Sequence, residues 1–290
     1  MSATNSKILR RYNWKSLEIL FTMRRNLMKT KIVILCIALT LFSITAFANT
    51  QTKEYKKTID FRSFGDIYVK SINGNIEVES WDKNKVDIYA EIVVKDRSRA
   101  DALKLLDMIK IDVKVDKNSI RIIPDYPQKK GGSDLWDWIF GSNNPPVINF
   151  KIKVPGNTNP ELESMNGNIL VEKINGNTRV GTVNGGINID KLSGSVDAHT
   201  TNGSIKATFN IFDKQNDIQL RTINGSIRIK LPDEVQAFVK ASTVNGNIKT
   251  DFPLTVKGKI LKKNVRGLIN GGGGNIGLST VNGSVNIFKQ

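Results

Sequence analysis

Between Asn166 and Ala207 the apolar positions fall on a nine-residue grid that restarts at each Asn-Gly or Ser-Gly. Counting each unit from its Asn or Ser, the fourth column reads Ile169, Thr178, Ile187, Val196, Ile205 and the sixth reads Val171, Val180, Ile189, Ala198, Ala207. The fifth column, Leu170, Arg179, Asn188, Asp197, Lys206, is mostly polar, and the eighth is mostly Lys or Thr. Apolar residues two apart with a polar one between predict a short strand with one buried face. The ninth column, Ile174, Val183, Leu192 and Thr201, is mostly apolar as well.

Two architectures use such a pattern. In a meander each Asn-Gly makes a two-residue hairpin turn. In a β-solenoid the chain coils, and equivalent strands stack in parallel on successive rungs. The ninth column favours the solenoid. In a hairpin it would share a face with the third column, which is Asn, Gly or Ser, and oppose the fourth and sixth. A corner resets the phase and lets all three apolar columns enter one narrow core. Asn and Gly suit corners because both tolerate positive φ, and stacked Asn side chains can bond along the axis. The predicted corners are Asn73-Gly74, Asn166-Gly167, Asn175-Gly176, Asn184-Gly185, Ser193-Gly194, Asn202-Gly203, Asn224-Gly225, Asn245-Gly246 and Asn282-Gly283. The longer spacings from Asn202 to Asn224 and Asn224 to Asn245 read as full coils whose middle corner is a longer loop. From Asn245 to Asn282 a longer excursion precedes a closing strand.

The first half is more mixed. DIYVKSINGNIEVESWDKNKVDIYAEIVVK alternates cleanly and predicts two or three strands about Asn73. SRADALKLLDMIK predicts a helix, with Ser98 and Asp101 as a capping-box variant and Ala102, Leu105, Leu106 and Ile109 as its apolar stripe. IKIDVKV, SIRIIP and VINFKIKVP read as further strands. The expected organisation is a leader over residues 1–48 and one all-β solenoid domain over 49–290. Within it, a cap lobe covers about 55–160 and the repeats about 161–290.

Residues 28–48, MKTKIVILCIALTLFSITAFA, have a basic start, an apolar run from Ile32 to Ile44 and a small-x-small end at Ala46 and Ala48. That is the layout of a secretory signal peptide, so cleavage near Ala48 and export to periplasm, surface or medium are expected. The run is shorter than the roughly 20 residues that span a bilayer as a helix. Cys36, the one cysteine, lies inside it, which leaves the mature chain no disulfide and no thiol for a metal. The formal charge of +16 is unevenly spread. Residues 49–163 hold nineteen basic and eighteen acidic side chains, against sixteen and eight in 164–290. A basic surface outside the cytoplasm favours anionic partners.

The chain resembles a bacterial putative-adhesin family, a domain-of-unknown-function group with Asn-Gly repeats and a β-solenoid-like fold. SINGNIEVESWDKNKVDIYAEI, FKIKVPGNTNPELESMNGNILVEKINGN and LSTVNGSVNIF carry the resemblance and frame nearly all of residues 55–290. Two tryptophans in an insert and a Gly-rich run near the end depart from it. The resemblance implies an exported, non-enzymatic envelope or surface protein, an adhesion or scaffold module. The alternative is a periplasmic, envelope-stress-associated binder of anionic envelope polymers. It offers no catalytic or binding residues to carry over.

The residues themselves point the same way. His199 is the one histidine, so neither a multi-histidine metal cluster nor a Cys–His pair can form, and a Ser-His-Asp site would rest on it alone. The carboxylate pairs Asp82/Asp87 and Asp213/Asp217 lack any feature that would separate their pKa values. Gly272–Gly277 fits G-x-G-x-x-G, but thirteen residues after it leave no room for the helix and second strand that give the motif meaning. Calcium-binding repeats need Asp where this chain has Asn or Ser. No cofactor or metal is expected. Two contact regions stand out. Lys257, Lys259, Lys262, Lys263 and Arg266 form an acid-free basic stretch, and Trp136 and Trp138 sit between glycines as an aromatic platform. The partners these features suit are anionic envelope polymers, glycans or another cell surface, not nucleic acid.

Overall fold

The fourth and sixth columns do turn inward: every one of those side chains from Ile169 to Ala207 is buried. In the computed structural model, which describes residues 50–62, 64–95, 98–126, 145–255 and 263–290, their strands build two ten-stranded sheets face to face. Strands are numbered in chain order. Sheet A runs β1 (Thr50–Asp60), β4 (Lys85–Lys95), β7 (Val147–Pro155), β3 (Ile76–Trp81), β9 (Ile169–Glu172), β11 (Ile187–Leu192), β13 (Ile205–Phe209), β15 (Ile227–Leu231), β20 (Val285–Lys289), β17 (Ile248–Thr250). Sheet B runs β18 (Asn264–Ile269), β16 (Ala237–Asn245), β19 (Gly274–Asn282), β14 (Asp217–Asn224), β12 (Val196–Asn202), β10 (Thr178–Asn184), β8 (Asn159–Asn166), β2 (Asp66–Lys70), β6 (Ser119–Asp125), β5 (Lys110–Val115). One continuous apolar core fills the space between them.

The architecture is a parallel β-solenoid, and its repeat is eighteen residues. Thr178 pairs with Val196 and Ile169 with Ile187, each eighteen positions on. Each coil therefore holds one strand of each sheet, and successive nine-residue units alternate between sheets. The longer spacings are full coils, as expected: β13 to β14 passes through 210–216 and β15 to β16 through 232–236.

The ninth column corrects the expectation that it is uniformly inward. Ile174 and Leu192 are buried, Val183 is 41% exposed and Thr201 is half-buried. The eighth column explains the alternation. Lys173 and Lys191 adopt left-handed φ of 58° and 56°, which turns the next residue into the core. At the other corners Thr182 and Thr200 are buried instead, and their hydroxyls donate to the carbonyls of Gly167 and Gly185 on the preceding coil. The chain thus has two kinds of corner.

Seven of the eight passages from sheet B to sheet A, all but β6 to β7, are of the threonine or serine kind. Asn73, Asn166, Asn184, Asn202, Asn224, Asn282 and Asn245 stack in one ladder, in which each side-chain amide after Asn73 donates to the side-chain carbonyl of the Asn before it at 2.7–2.8 Å. The glycine after each Asn lets the backbones close up. A methyl group on Gly185 would overlap the carbonyl oxygen of Gly167 and lie 2.6 Å from its carbon.

Chain order and stacking order differ at both ends. The coil β2–β3 lies between β8–β9 and β6–β7, and the last coil, β19–β20, lies between β14–β15 and β16–β17. At three of the four sheet ends the strands leave the parallel scheme, where β4 pairs antiparallel with β7, β5 with β6 and β18 with β16, while β17 stays parallel to β20. These switches end the stack with strands that do not offer the next parallel rung, which blunts edge pairing. Helix α1 (Arg99–Met108) joins β4 to β5 at the first end. Its N-terminus is capped as predicted, with the Ser98 hydroxyl accepting from the Asp101 amide at 3.1 Å, and Ala102 and Leu106 are buried.

Candidate functional site

The two outer faces are where side chains meet solvent in ordered rows. On each face every second residue of a strand points outward, and neighbouring strands repeat it about 4.8 Å away. On sheet B one row runs Arg121, Tyr68, Glu161, Arg179, Asp197, Gln219. A groove of about 470 Å³ follows it, lined also by Asn159, Asn177, Ser195 and Asp217. Its charges are largely matched: Arg179 meets Glu161 at 3.4 Å, and Arg221 beside it meets Asp197 at 2.6 Å. Gln219 donates to Asp217 at 2.8 Å.

Tyr68 closes one end of the groove. The Arg121 guanidinium lies 4.6 Å from its ring centroid, and its hydroxyl donates to Glu163 Oε2 at 3.0 Å. Partial burial, reinforced by that carboxylate, pushes the phenol up to about 12, so it remains a donor across the ordinary pH range. This groove can hold a polar chain by hydrogen bonds to fixed amides, carboxylates and guanidinia.

His199 stands on the outer face of β12, and its imidazole covers Gly181, where an added methyl would come within 2.8 Å of it. Among the described residues no three His, Asp or Glu side chains converge as metal ligands. The glycine-rich 274–277 stretch opens β19, a strand rather than the start of a helix, so the dinucleotide pattern has no structural context.

Of the basic stretch, Lys263 donates to the carbonyl of Val244 at 2.7 Å, and Arg266 on β18 stands directly opposite Lys240 on β16. Lys257, Lys259 and Lys262 lie outside the described residues, as do Trp136, Trp138 and the leader. The structure therefore brings Arg266 beside Lys240, which the linear reading had not joined to it.

Sequence reasoning also missed a second grouping, on sheet A. Lys206, Arg228 and Lys249 fall in one outward row, with Lys230 two residues beyond Arg228. The signal was the eighteen-residue period. The fifth column mixes two faces, and only every second unit belongs to sheet A: Leu170, Asn188, Lys206.

Among the described residues no helix is long and apolar enough to cross a membrane. No curated protein matches the chain. Among solved structures, a putative cell adhesion protein from Clostridium sporogenes ATCC 15579 matches 83% of this chain and all of its own at 13% identity, with a TM-score of 0.51. A putative adhesin from Bacteroides fragilis NCTC 9343 matches 82% of this chain and 97% of its own at 13% identity, with a TM-score of 0.38. At 13% identity the likeness to the Clostridium sporogenes protein concerns the fold alone. The family model described as Toastrack DUF4097 matches residues 52–288, nearly the whole of the two-sheet stack, and the chain belongs to that family of unknown function.

Proposed function

We propose that the protein is exported and serves at the cell envelope or surface as a non-enzymatic adhesion or scaffold module. The observation that carries this reading is the unbroken asparagine ladder, which locks seven coils in register and holds the outward rows of both sheets at fixed spacing. A face ordered before contact loses little further conformational entropy on binding, which suits attachment over an extended surface. The outward charges of the sheet B groove are paired with one another rather than isolated and desolvated, as a catalytic acid or base would require. The secretory layout of residues 28–48 supports export.

The test is protease treatment of intact cells, with lysed cells as the control and an antibody against the repeat region as the readout. Cleavage on intact cells is expected. Protection until lysis would remove the surface role and leave the periplasmic alternative.

A further inference from the structure

The outer face of sheet A divides into two electrostatic regions. Over β7, β3 and β9 its cations meet acids: Lys151 lies 3.8 Å from Glu77, and Lys173, just past β9, lies 2.8 Å from Glu79. Over β13, β15, β20 and β17 there is no acid in any strand. Lys206 and Arg228 are register partners on adjacent strands, and Asn286 then separates Arg228 from Lys249. Lys230 stands on the same face as Arg228, opposite Thr208 on one side and Phe288 on the other. All four cations are exposed, and none has an ion pair among the described residues. Asp190 on the adjacent strand β11 and Asp251 just after β17 stand at the two borders of the region.

Holding like charges on adjacent rungs costs stability unless a counter-charge is present. From Lys206 to Lys249 the row crosses three strand spacings, about 14 Å. We infer that this strip binds a flexible, linear, phosphate-bearing polymer, with Lys206, Arg228, Lys230 and Lys249 contacting successive phosphates. Ammonium and guanidinium groups make charge-assisted hydrogen bonds to phosphate oxygens, and the guanidinium does so with two parallel bonds. Thr208 and Asn286 add neutral donors between them. The strip is flat and narrow, one row of three cations with Lys230 in the row beside it, which suits a single chain laid along it. A nucleic-acid duplex needs an element that enters a groove or a broad basic surface. The inference goes beyond the adhesion reading and does not depend on where the protein resides.

The experiment is fluorescence anisotropy of end-labelled, long-chain inorganic polyphosphate with the purified protein over a salt series. Lys206→Gln/Arg228→Gln/Lys230→Gln is compared with Lys151→Gln/Lys153→Gln/Lys104→Gln, which removes the same charge elsewhere, and thermal melts confirm that both fold. The strip variant is expected to bind at least tenfold more weakly at 0.1 M salt. Its log K against log salt slope should flatten by about 2, from three lost contacts at roughly 0.7 each. The control should lose less than threefold. Should the triple variant misfold, Arg228→Gln alone is expected to weaken binding about threefold and flatten the slope by about 0.7. Equal losses in strip and control variants would show a net-charge effect and overturn the strip. Wild-type protein that ignores polyphosphate, or a strip variant that binds unchanged, would do the same. Tighter binding of duplex DNA, lost in the same variant, would overturn the ligand class.

Discussion

The solenoid's two edges are built on different rules. Where sheet B passes to sheet A, seven of the eight connections present the same Asn-Gly, and six of those seven are two residues long; β6 to β7 is the exception. Where sheet A passes to sheet B, the connections differ from level to level, with three residues at 193–195, five at 232–236, seven at 210–216 and thirteen at 251–263. On the first edge each Asn bonds to the Asn above and below it, and each Thr hydroxyl reaches the glycine carbonyl of a neighbouring coil. Each level repeats the same donor and acceptor pairs, so no level can change alone. On the second edge neighbouring coils are bonded too, but the side chains that do it change from level to level: Asn159 accepts from the Asn177 amide, Asn177 from the Ser195 amide and Ser195 from the Asp217 amide. Asn175 bonds to Asn157 at 3.3 Å, and the series stops there because the next corner has Ser193. One edge keeps register and the other absorbs variation.

The largest effect should come from closing the gap between backbones on the register edge. Gly185→Ala forces a methyl group onto the Gly167 carbonyl, and backbone atoms on both sides cannot step aside. A loss of about 4 kcal/mol or more is expected, in the range that marks a broken structural requirement. Gly186→Ala, one residue later, meets nothing nearer than 3.4 Å and should be nearly neutral. Urea denaturation of the two variants measures the difference, and comparable losses would remove the distinction between the positions.

An insertion separates the edges more directly. Four residues of Gly and Ser added after Lys214, in the 210–216 loop, should cost under about 1 kcal/mol, because loop closure grows only slowly with length. The same insertion after Gly203 displaces a ladder step and a glycine contact together and should cost several times more. Equal thermal midpoints for the two insertions would show that the ladder does not set the register.

Single amides come next. Asn202 donates to Asn184 and accepts from Asn224, so Asn202→Ala removes two hydrogen bonds, about 2 kcal/mol at ordinary net values. Asn175→Ala removes one long, exposed bond and should cost under about 1 kcal/mol. A gain is expected where the register edge has a missing rung. Position three of the corner also forms a ladder, in which Asn168 accepts from the Gly186 amide and Ser204 from the Ser226 amide. Gly186 breaks it. Gly186→Ser supplies an acceptor for the Ser204 amide and restricts the unfolded chain, for a gain of about 1 kcal/mol.

Much of this was legible in the residues. The strands, the corners and the helix cap follow from alternation, from Asn-Gly and from Ser98 with Asp101, all local signals. The two kinds of corner were visible as well, in an eighth column that alternates Lys173, Thr182, Lys191, Thr200, but a nine-residue frame averages them. The same frame mixed the outer faces, which hid the row Lys206–Arg228–Lys249. The insertion of β19–β20 between β14–β15 and β16–β17 was not legible. Thr-Val-Asn-Gly at 243–246 and at 280–283 are equivalent locally, and only packing against particular neighbours decides which coil lies inside. Trp136 and Trp138 stay an expectation from composition.

The smallest expected effect tests whether a second-edge contact between coils matters only to the pair that makes it. Lys173 lies on that edge, and its ammonium holds the Glu79 carboxyl below the usual carboxylate range, chiefly through their hydrogen bond. A carboxylate whose pKa is lowered on folding adds stability above its unfolded pKa, and that increment fades as pH falls through the folded value. Lys173→Asn removes the charge while keeping a residue that tolerates the left-handed φ of 58°. Carbon-detected NMR titration should show Glu79 returning toward the ordinary range. The acid side of the stability profile should become slightly shallower, and the thermal midpoint at neutral pH should hardly move, since the pair is solvent-exposed and screened. A large drop at neutral pH would mean that this corner, like the asparagine ladder, carries register through the stack, and the division between the edges would not stand.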